Sequence, residues 1–392
     1  MLLAKAFQSD TRPKLEAKTL ASLGFTVHVL AWDRYGQFPD FDRVNGAEVH
    51  SLRPLRVSKF PRLGLLVGAL IFQVLMMFEA IRLVSRTRRR VVIHSHDFNT
   101  LLVGCVLRIL RLANALVYDC HELTYAVYGE WYNSLVGTLA RVVEARCLAV
   151  ADSVITVSKP LATYLQSLKS NTVTVENFPS LADIPASSKH ELRALLNLPS
   201  ENFIISFVGE IRFGCRLDLM LASASLITDN RVSFVVVGGG PLGHEFRQHA
   251  GELGEARLIV RPQVNYETAL QYVAASDLTW VIYQNLAASI SERSAIPWKF
   301  SESLACGVPV IVSDQTLVAS IVRRFDCGIV LDRDKADYVA GTIERIASDE
   351  GTQRAMRIAS EKAADVLELN WEIASSRLIA VYTHIARDGI SR

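Results

Sequence analysis

Residues 297–312, PWKFSESLACGVPVIV, contain the pattern from which the fold class follows. Pro297 suits the first turn of a helix, where its missing N–H leaves no hydrogen bond unmade. Gly307 is a typical residue for the end of that helix. The run at 309–312 is apolar without interruption, which is typical of a strand covered on both faces. This stretch therefore predicts a helix, a tight turn and a buried strand in succession.

The same pattern recurs from one end of the chain to the other. The predicted strands are 26–31, 91–94, 115–118, 153–157, 173–175, 203–208, 232–237, 258–260, 278–282, 309–312 and 328–330. Most are separated by amphipathic stretches, and strands that alternate with helices indicate βαβ units and parallel sheets. We therefore predict an α/β protein with two Rossmann-like domains that face each other across a cleft, where ligands of such sheets bind.

The domain boundary is predicted from composition. Residues 183–200 are rich in proline and serine, and a new strand begins at Phe203. We predict a first domain over 1–182, a linker over 183–200 and a second domain over 201–370. The amphipathic segment 371–392 is expected to form a last helix that packs back on the first domain.

Composition excludes several classes of function. The chain has 392 residues and a net charge of only +2, which gives no general case for nucleic-acid binding. The six cysteines show no CxxC pair, which favours a reducing cytoplasmic compartment. The opening apolar stretch at 1–4 is too short for a signal peptide. We expect a cytoplasmic protein that binds no nucleic acid.

Positive charge is concentrated in residues 51–96, which hold nine basic residues and one acidic residue around an apolar stretch at 63–81. One interpretation is a buried core helix whose basic end complements the helix dipole. The other is a helix that lies in the membrane interface, with its basic residues on anionic lipid. Nine basic residues exceed what capping needs, so we favour contact with the inner face of the cell membrane. The residues assigned to it are Arg86, Arg88, Arg89 and Arg90.

Three segments of the second half carry the pattern of an anion site. Residues 207–216, FVGEIRFGCR, predict a strand, a glycine loop with two arginines and a helix start, which together suit a phosphate. Residues 234–241, FVVVGGGP, predict a second strand that ends in glycines but lack the GxGxxG dinucleotide spacing. Lys299 and Glu302 share one face near a helix start. The alternative for that pair is an exposed ion pair of small energetic value.

Polar residues also follow two strands of the first half. His121 and Glu122 follow one strand, and His94, His96 and Asp97 end another. Two histidines two residues apart hint at a metal, but the strand is expected to stop near His94 and no third ligand has matching spacing. We therefore predict no metal site. The DxD triplets at 40–42 and 332–334 lie in polar loops away from the glycine-rich strand ends and are assigned to chance.

In order and spacing, these segments resemble glycosyltransferase family 4, the retaining enzymes of GT-B fold that use nucleotide sugars. The most specific match is Pro297-x-Lys299-x-x-Glu302 followed by ACGVPV at 305–310. The resemblance covers nearly the whole chain. The other matching segments are 10–17, 23–27, 151–158, 175–179, 207–216, 237–242, 276–283, Trp371-Glu372 and Tyr382.

The resemblance implies a role for each matching residue. Arg212 and Arg216 would neutralise the donor diphosphate, with Lys299 beside them. Glu302 would hold the ribose, and His121 would lie against the donor sugar near the reacting centre. The further residues implied on the donor side are Gly209, Gly239, Ser294 and Pro297, and Asp97 is expected on the acceptor side.

The chain departs from the family pattern at several positions. Glu210 stands where the family has arginine, and Cys215-Arg216 replaces Lys-Gly, which shifts the phosphate contact by one residue. Ser294 replaces the first glutamate of the donor motif. The opening strand and glycine-rich loop are reduced to residues 2–9, so we expect either a smaller acceptor side or a start that lies upstream.

The sequence therefore predicts a metal-independent retaining hexosyltransferase without a cofactor. Its donor would be a UDP- or GDP-linked sugar, and its acceptor a glycan or a lipid-phosphate-linked molecule at the cytoplasmic membrane surface. An alternative is a catalytically silent GT-B subunit that binds and activates a partner glycosyltransferase. Ser294 and the short N-terminus favour this alternative. A nucleotide-sugar epimerase is disfavoured because the basic apolar patch would then have no role.

Overall fold

Two sheets organise the computed structural model, which describes residues 1–53, 61–284, 296–314 and 316–388. One compact unit contains Met1–Glu176 and residues 373–388. The other contains residues 177–284 and Ile296–Glu372. The prediction of an α/β protein with two domains built on parallel sheets is confirmed.

The first unit is built on an eight-stranded sheet of order β3-β4-β2-β1-β5-β6-β7-β8. Its strands are β1 (Leu2–Leu3), β2 (Val27–Trp32), β3 (Phe41–Val44), β4 (Ala47–Leu52), β5 (Val92–His96), β6 (Ala115–Cys120), β7 (Ser153–Thr156) and β8 (Thr172–Thr174). All neighbours are parallel except the β3–β4 hairpin, which the sequence pattern did not predict. Its alternation of exposed and half-buried residues at an edge gives no continuous apolar run.

Helices cover the faces of this sheet. They are α1 (Thr11–Ser22), α2 (Pro61–Ser85), α3 (Phe98–Ile109), α4 (Thr124–Trp131), α5 (Ser134–Val150) and α6 (Lys159–Gln166), with a 3-10 turn at Phe7–Ser9. The core lies between the sheet and the helices α2, α3 and α5, where Phe72, Leu101 and Leu148 are fully buried. Because β6 is covered on both faces, all six of its residues are buried.

The second unit is built on a six-stranded parallel sheet of order β11-β10-β9-β12-β13-β14. Its strands are β9 (Phe203–Val208), β10 (Val232–Val237), β11 (Leu258–Arg261), β12 (Leu278–Val281), β13 (Val310–Ser313) and β14 (Gly328–Leu331). Its helices are α7 (Lys189–Leu195), α8 (Leu217–Leu226), α9 (Gly243–Gly251), α10 (Tyr266–Ala274), α11 (Trp298–Ala305), α12 (Leu317–Phe325), α13 (Ala336–Ala347) and α14 (Glu350–Val366), with a 3-10 turn at Leu181–Asp183.

The last helix, α15 (Trp371–Asp388), belongs mainly to the first unit. Tyr382 packs edge-on against the Phe25 ring at 5.3 Å, and its hydroxyl lies 2.8 Å from His94 Nδ1. These contacts attach the end of the chain to the start of the first sheet.

The predicted linker over 183–200 is wrong in one respect, because this stretch contains α7. Ser188 accepts the Glu191 N–H, and Glu191 in turn accepts the Ser188 N–H, which is a capping box. Leu192 and Arg193 of α7 are buried in the second unit. The serines that suggested a linker are thus partly a helix-start signal.

Of the described helices, α2 alone has the length and composition to cross a bilayer. Its residues Phe72, Met76 and Ala80 pack on the core, but only 17% of the window Gly68–Ser85 is buried. The strands β4 and β5, before and after it, lie in one sheet. This position is inconsistent with a crossing and leaves one face of α2 exposed.

Candidate functional site

Two glycine loops lie side by side at the carboxyl edge of the second sheet. The Gly209 N–H donates to the Val237 carbonyl at 2.9 Å, and the Ile211 N–H donates to the Gly239 carbonyl at 2.7 Å. A Cβ at Gly238 would overlap the Gly209 carbonyl oxygen. Glycine is required there because the two backbones touch. The loops that follow β9 and β10 are therefore held as one rigid surface.

Lys299 extends over this surface from the first turn of α11. A Cβ at Gly209 would lie 2.6 Å from Lys299 Nζ, and Gly209 has a φ of 142°. The same ammonium lies 4.8 Å from the centroid of the Phe207 ring. Because residue 209 has no side chain, the Lys299 ammonium can lie against the end of β9. The structure brings together the two residues that the sequence placed ninety positions apart.

Helix starts add to the positive potential of this edge. Pro297 is the N-cap of α11 and provides no side-chain cap, and Arg216 takes the same place before α8 with a left-handed φ of 46°. Helix N-termini carry unpaired N–H groups and a partial positive charge, so they attract phosphates. The predicted strand–loop–helix unit at 207–216 is present.

The two arginines of the loop differ in their surroundings. Arg212 is exposed, and its Nε lies 3.9 Å from the Glu210 carboxylate. Arg216 donates to Asp218 at 3.3 Å and to Asp334 at 2.6 Å. Two carboxylates therefore offset the charge of Arg216. Asp334 belongs to the DxD triplet at 332–334, which the sequence analysis assigned to chance and expected to lie away from the glycine loop. The expected position was wrong, because Asp334 contacts Arg216 of that loop.

Glu302 is half-buried on α11, one turn after Lys299. Burial raises the pKa of Glu302 above its usual range, and the Lys299 ammonium partly opposes that shift. Burial also raises the pKa of Tyr266, and the Glu302 carboxylate beside it adds to the rise. A carboxylate in such a recess can accept two hydroxyl groups of a ligand. Ser294, the remaining donor-side prediction, lies outside the described residues.

A second polar site lies at the carboxyl edge of the first sheet. His121 follows β6, and its Nε2 lies 2.9 Å from Asp119 Oδ2. Its Nδ1 lies 3.4 Å from Asp97, which follows β5. Burial opposes a charge on this ring, yet Asp97 and Asp119 raise the pKa of His121 to about 9. His121 is therefore an imidazolium at neutral pH, held on both nitrogens.

Arg12 holds the Asp119 carboxylate in place. Its Nε and one terminal nitrogen each donate to a different oxygen of Asp119 at 2.9 Å, and its other terminal nitrogen donates to the Val175 carbonyl. The Arg12 side chain is buried. Although burial opposes it, Arg12 and His121 hold the pKa of Asp119 well below its usual range. Sequence analysis did not single out Arg12, and a lone arginine in a predicted helix gives no signal of burial.

Glu16, His94 and His96 complete this cluster. Both His Nε2 atoms lie 3.5 Å from Glu16 Oε2. Burial lowers the pKa of His94 to about 3 and also lowers that of His96, so both rings are neutral. Burial and Asp119 raise the pKa of Glu16 well above its usual range. The expectation that the strand stops near His94 was wrong, because β5 extends through His96.

These side chains could supply metal ligands. Single donor atoms of Glu16, His94, His96 and Asp119 lie within 4.8 Å of one another. However, both Asp119 oxygens already accept from Arg12, and the charged His121 lies beside them. Arg12 and His121 already compensate the charge of Asp119, and the raised pKa of Glu16 removes the second negative charge, so little remains in the cluster to attract a cation. Sequence spacing indicated no third ligand, but the structure places Glu16 and Asp119, which come from other elements, beside the two histidines.

The basic segment after α2 is exposed, as the membrane hypothesis requires. Arg86, Arg88, Arg89 and Arg90 are all exposed. Arg89 donates to the Thr26 hydroxyl at 3.3 Å, and Arg90 donates to the Ala386 carbonyl at 3.3 Å. Neither contact neutralises a charge, so both guanidinium groups retain their attraction for anions.

Comparison with known families covers both units. The model of the glycosyl transferase 4-like domain matches residues 14–177, and the model of the group 1 glycosyl transferases matches residues 188–363. The two matches follow each other along the chain and cover most of it.

Related proteins are named as glycosyltransferases. The D-inositol 3-phosphate glycosyltransferase of Thermomonospora curvata is 28% identical over 49% of this chain and 45% of its own length. The chitobiosyldiphosphodolichol beta-mannosyltransferase of Candida albicans is 23% identical over 65% of this chain and 60% of its own length. An uncharacterized glycosyltransferase of Methanocaldococcus jannaschii is 23% identical, and the match covers 88% and 86% of the two chains. This chain spans about half the length of the first of these relatives.

Solved structures share the fold. Sucrose-phosphate synthase from Thermosynechococcus elongatus superposes with a TM-score of 0.77 at 19% identity, over 99% of this chain and 98% of that one. HepE of Anabaena in complex with UDP and glucose gives 0.64 at 16% identity, over 100% and 99%. The lipopolysaccharide glycosyltransferase WaaG gives 0.63 at 14% identity, over 96% and 98%. With both family models matched in sequence order and this architecture shared, the chain belongs to glycosyltransferase family 4 and has the GT-B fold.

Proposed function

We propose that this protein transfers a hexosyl group from a UDP- or GDP-linked sugar to a glycan or a lipid-phosphate-linked acceptor. The observation that carries the proposal is the Lys299 ammonium over Gly209, at the edge where two glycine loops and two helix starts meet. This arrangement suits a diphosphate. The relatives' names support glycosyl transfer, and the HepE complexes support a nucleotide-sugar donor.

The chemistry proposed for this edge is stabilisation of the leaving diphosphate. Negative charge develops on the phosphate oxygens as the bond to the anomeric carbon breaks. Lys299, Arg212 and the start of α11 would stabilise that charge with fixed positive groups. We propose that the transfer needs no metal ion for this reason. Glu302 would accept the ribose hydroxyls and so place the diphosphate under Lys299.

We propose that His121 contacts the donor sugar. Asp119 orients the ring through Nε2, and Nδ1 has the longer contact of 3.4 Å with Asp97. A hydroxyl group of the sugar could replace that longer contact and accept the Nδ1 proton. Within the described residues we single out no carboxylate as a covalent nucleophile. We therefore propose retention of configuration by substitution on the same face, guided by the leaving phosphate.

We propose that the protein binds its acceptor at the cytoplasmic face of a membrane. Exposed apolar side chains form a stripe on each of three neighbouring helices, and α3 packs against both α2 and α5. The stripes are Leu70, Val74 and Phe78 on α2, Leu102, Val106 and Ile109 on α3, and Leu135, Leu139 and Val142 on α5. An apolar face beside exposed arginines fits the interface of an anionic bilayer. The acceptor named for the Candida albicans relative is dolichol-linked, which agrees with a lipid acceptor.

A thermal-shift panel tests the donor site. UDP-, GDP-, ADP- and dTDP-sugars are added to the full chain, each with EDTA and with Mg²⁺. We expect one nucleotide to raise the Tm regardless of metal, since a ligand at 100 times its Kd stabilises by about 2.7 kcal/mol. No shift with any donor would contradict the proposal.

Turnover separates the enzyme from a silent subunit. The stabilising donor is incubated with membrane extracts as acceptor, and release of the free nucleotide and labelled lipid product is measured. We expect transfer by the protein alone. Nucleotide binding without transfer would favour the silent GT-B subunit that activates a partner.

A further inference from the structure

Two histidines and a glutamate lie together on one face of the first sheet, on strands that carry no residue of the Asp119 cluster. His28 is the second residue of β2, and Glu48 of β4 lies opposite it in the register of the two strands. His50 follows two residues later on β4, so it shares the face of Glu48. One ligand atom from each of these three side chains lies within 4.8 Å of the other two. Neighbouring strands thus bring three possible metal ligands together.

Each of the two imidazole rings has a buried nitrogen without a hydrogen-bond partner. His28 Nδ1 lies 3.3 Å from Glu48 Oε2 but forms no hydrogen bond with any described residue. The same holds for His50 Nε2. The ring centroids of the two histidines are 6.1 Å apart. Because a buried polar atom without a partner costs free energy, a ligand that accepts electron pairs from both nitrogens would be stabilising.

Glu79 of α2 favours the tautomer of His50 that leaves Nε2 free. Its Oε1 lies 3.5 Å from His50 Nδ1. A carboxylate on that side favours a proton on Nδ1, so the lone pair is left on Nε2. Metal-binding histidines commonly present their other ring nitrogen to a carboxylate in this way.

Both rings are in the form that binds metal. Burial lowers the pKa of His28 and of His50 below the ordinary value, although the Glu48 and Glu79 carboxylates oppose that lowering. A histidine must be neutral to act as a metal ligand. A metal ion therefore competes little with protons for these rings at neutral pH.

The charge of Glu48 is available to a cation. Arg43 donates to Glu48 Oε1 at 2.9 Å, which leaves Oε2 on the side of His28. Because 75% of the Arg43 side chain is exposed, solvent screens its charge. Arg12 differs, since it is buried and donates to both oxygens of Asp119. The face of β2 and β4 thus keeps an attraction for cations that the Asp119 cluster lacks.

We propose that His28, Glu48 and His50 form a zinc site. Two imidazoles and one carboxylate are a ligand set that Zn²⁺ binds at about 2.0–2.2 Å, with a fourth position left for water. Ligand atoms at the corners of such a tetrahedron are roughly 3.4 Å apart. His28 Nδ1 and Glu48 Oε2 already have this spacing, at 3.3 Å. Atoms that lie within 4.8 Å of one another need only small side-chain rotations to reach it.

The bound zinc is structural. It joins β2 to the edge hairpin through β4, and Glu79 connects the site to α2. His28 lies near the amino end of its strand, whereas His121 lies at the carboxyl edge of the sheet. The site is therefore independent of the proposed transferase function, and its metal takes no part in the proposed transfer.

Zinc binding by the purified full chain tests the proposal. The protein is freed of metal with EDTA, loaded with ZnCl₂ and dialysed against zinc-free buffer, and the zinc retained per chain is measured. We expect one equivalent to be retained. We expect His50→Gln to weaken zinc binding by about 100-fold or more, because loss of an outer partner alone costs roughly 10- to 100-fold. His244→Gln, which changes an exposed histidine of α9, is the matched control. Equal zinc affinities of the two variants, or no retained zinc in the unchanged protein, would overturn the proposal.

A second pair of variants identifies the ligand directly. His50→Cys keeps a metal ligand at this position, and Co²⁺ in place of zinc should then show a sulfur-to-cobalt charge-transfer band that His244→Cys does not show. Far-UV circular dichroism confirms that each variant is folded. A folded His50→Cys protein without this band would overturn the proposal. Zinc that is lost in His94→Gln and kept in His50→Gln would also overturn it, because the metal would then bind at the Asp119 cluster.

Discussion

At the scale of single residues, Lys299 carries most of the proposed chemistry. It is the cation that contacts both Gly209 and the end of β9, whereas Arg216 shares its charge with Asp218 and Asp334. Lys299→Met should lower kcat by about 10²-fold or more, because a donor aimed at developing charge is lost. Lys362→Met, an exposed lysine on α14, is the control. Comparable kcat values for the two variants would contradict the assignment of Lys299.

Gly209 and Lys299 act together. A Cβ at 209 would lie 2.6 Å from the lysine ammonium, and the φ of 142° disfavours any other residue. We expect Gly209→Ala to weaken nucleotide binding about tenfold or more, measured by calorimetric titration. Gly251→Ala serves as the control, since a Cβ there meets no atom within 4 Å. Equal affinities in the two variants would be inconsistent with the geometry.

His121 gives stability a defined dependence on pH. Its pKa is about 9 in the folded chain and 6.5 ordinarily, so the folded state binds the proton more tightly. The stabilisation is complete below pH 6.5 and is lost as the pH rises through 9. The free energy of unfolding should therefore fall from pH 6.5 to 9 in the unchanged protein and fall less in His121→Gln. Parallel urea-melt profiles for both proteins would refute the assignment. The charged or titratable groups around this ring include His96, Arg12, Asp97, Asp119, Glu16 and Asp10.

At the scale of elements, the exposed stripe of α3 distinguishes a membrane face from an ordinary surface. Leu102, Val106 and Ile109 lie one turn apart and point away from the core. We expect the triple change to Ser to reduce co-sedimentation with phosphatidylglycerol vesicles at least fivefold. The control is Ile358→Ser with Val366→Ser, exposed apolar residues on α14. Vesicle binding that is equal in the two variants would exclude this face.

The capping box of α7 is a second test at this scale. Ser188→Ala removes the side-chain bond to the Glu191 N–H and should lower the stability of the second unit by about 1 kcal/mol. Urea unfolding measures the change, and Ser187→Ala, the neighbouring serine outside the cap, is the control. A loss confined to Ser188→Ala would show that 183–200 is ordered structure rather than a linker.

At the scale of the whole molecule, each unit has its own sheet and its own core. The apolar cluster around Phe234 and Trp280 belongs to the second unit, and the cluster around Phe72 and Tyr118 belongs to the first. The residues proposed to bind the nucleotide lie in the second unit, whereas His121, which is proposed to contact the sugar, lies in the first. In scanning calorimetry, donor nucleotide should therefore raise the unfolding temperature of one transition more than the other. Equal shifts of both would indicate that the units unfold together.

Much of the fold and part of the site follow from local sequence. Apolar runs such as 203–208 and 232–237 predict the buried strands, because the pattern of apolar residues along a short segment indicates both the type of element and its burial. The motif from Pro297 to Glu302 gives the helix start and its face in the same way. The family and the parallel sheets were accordingly predicted, and both are confirmed.

Contacts between distant residues were decided by the tertiary structure alone. Arg12 meets Asp119 across 107 positions, and Arg216 meets Asp334 across 118. Nothing local marks either pair, because each side chain finds its partner only when the strands and helices between them have packed. The same holds for Glu16 beside His94. The sequence by itself therefore determined most of the elements, their order and the residues available for chemistry. The packed sheets determined which of those residues keep their charge, because burial and distant partners set it.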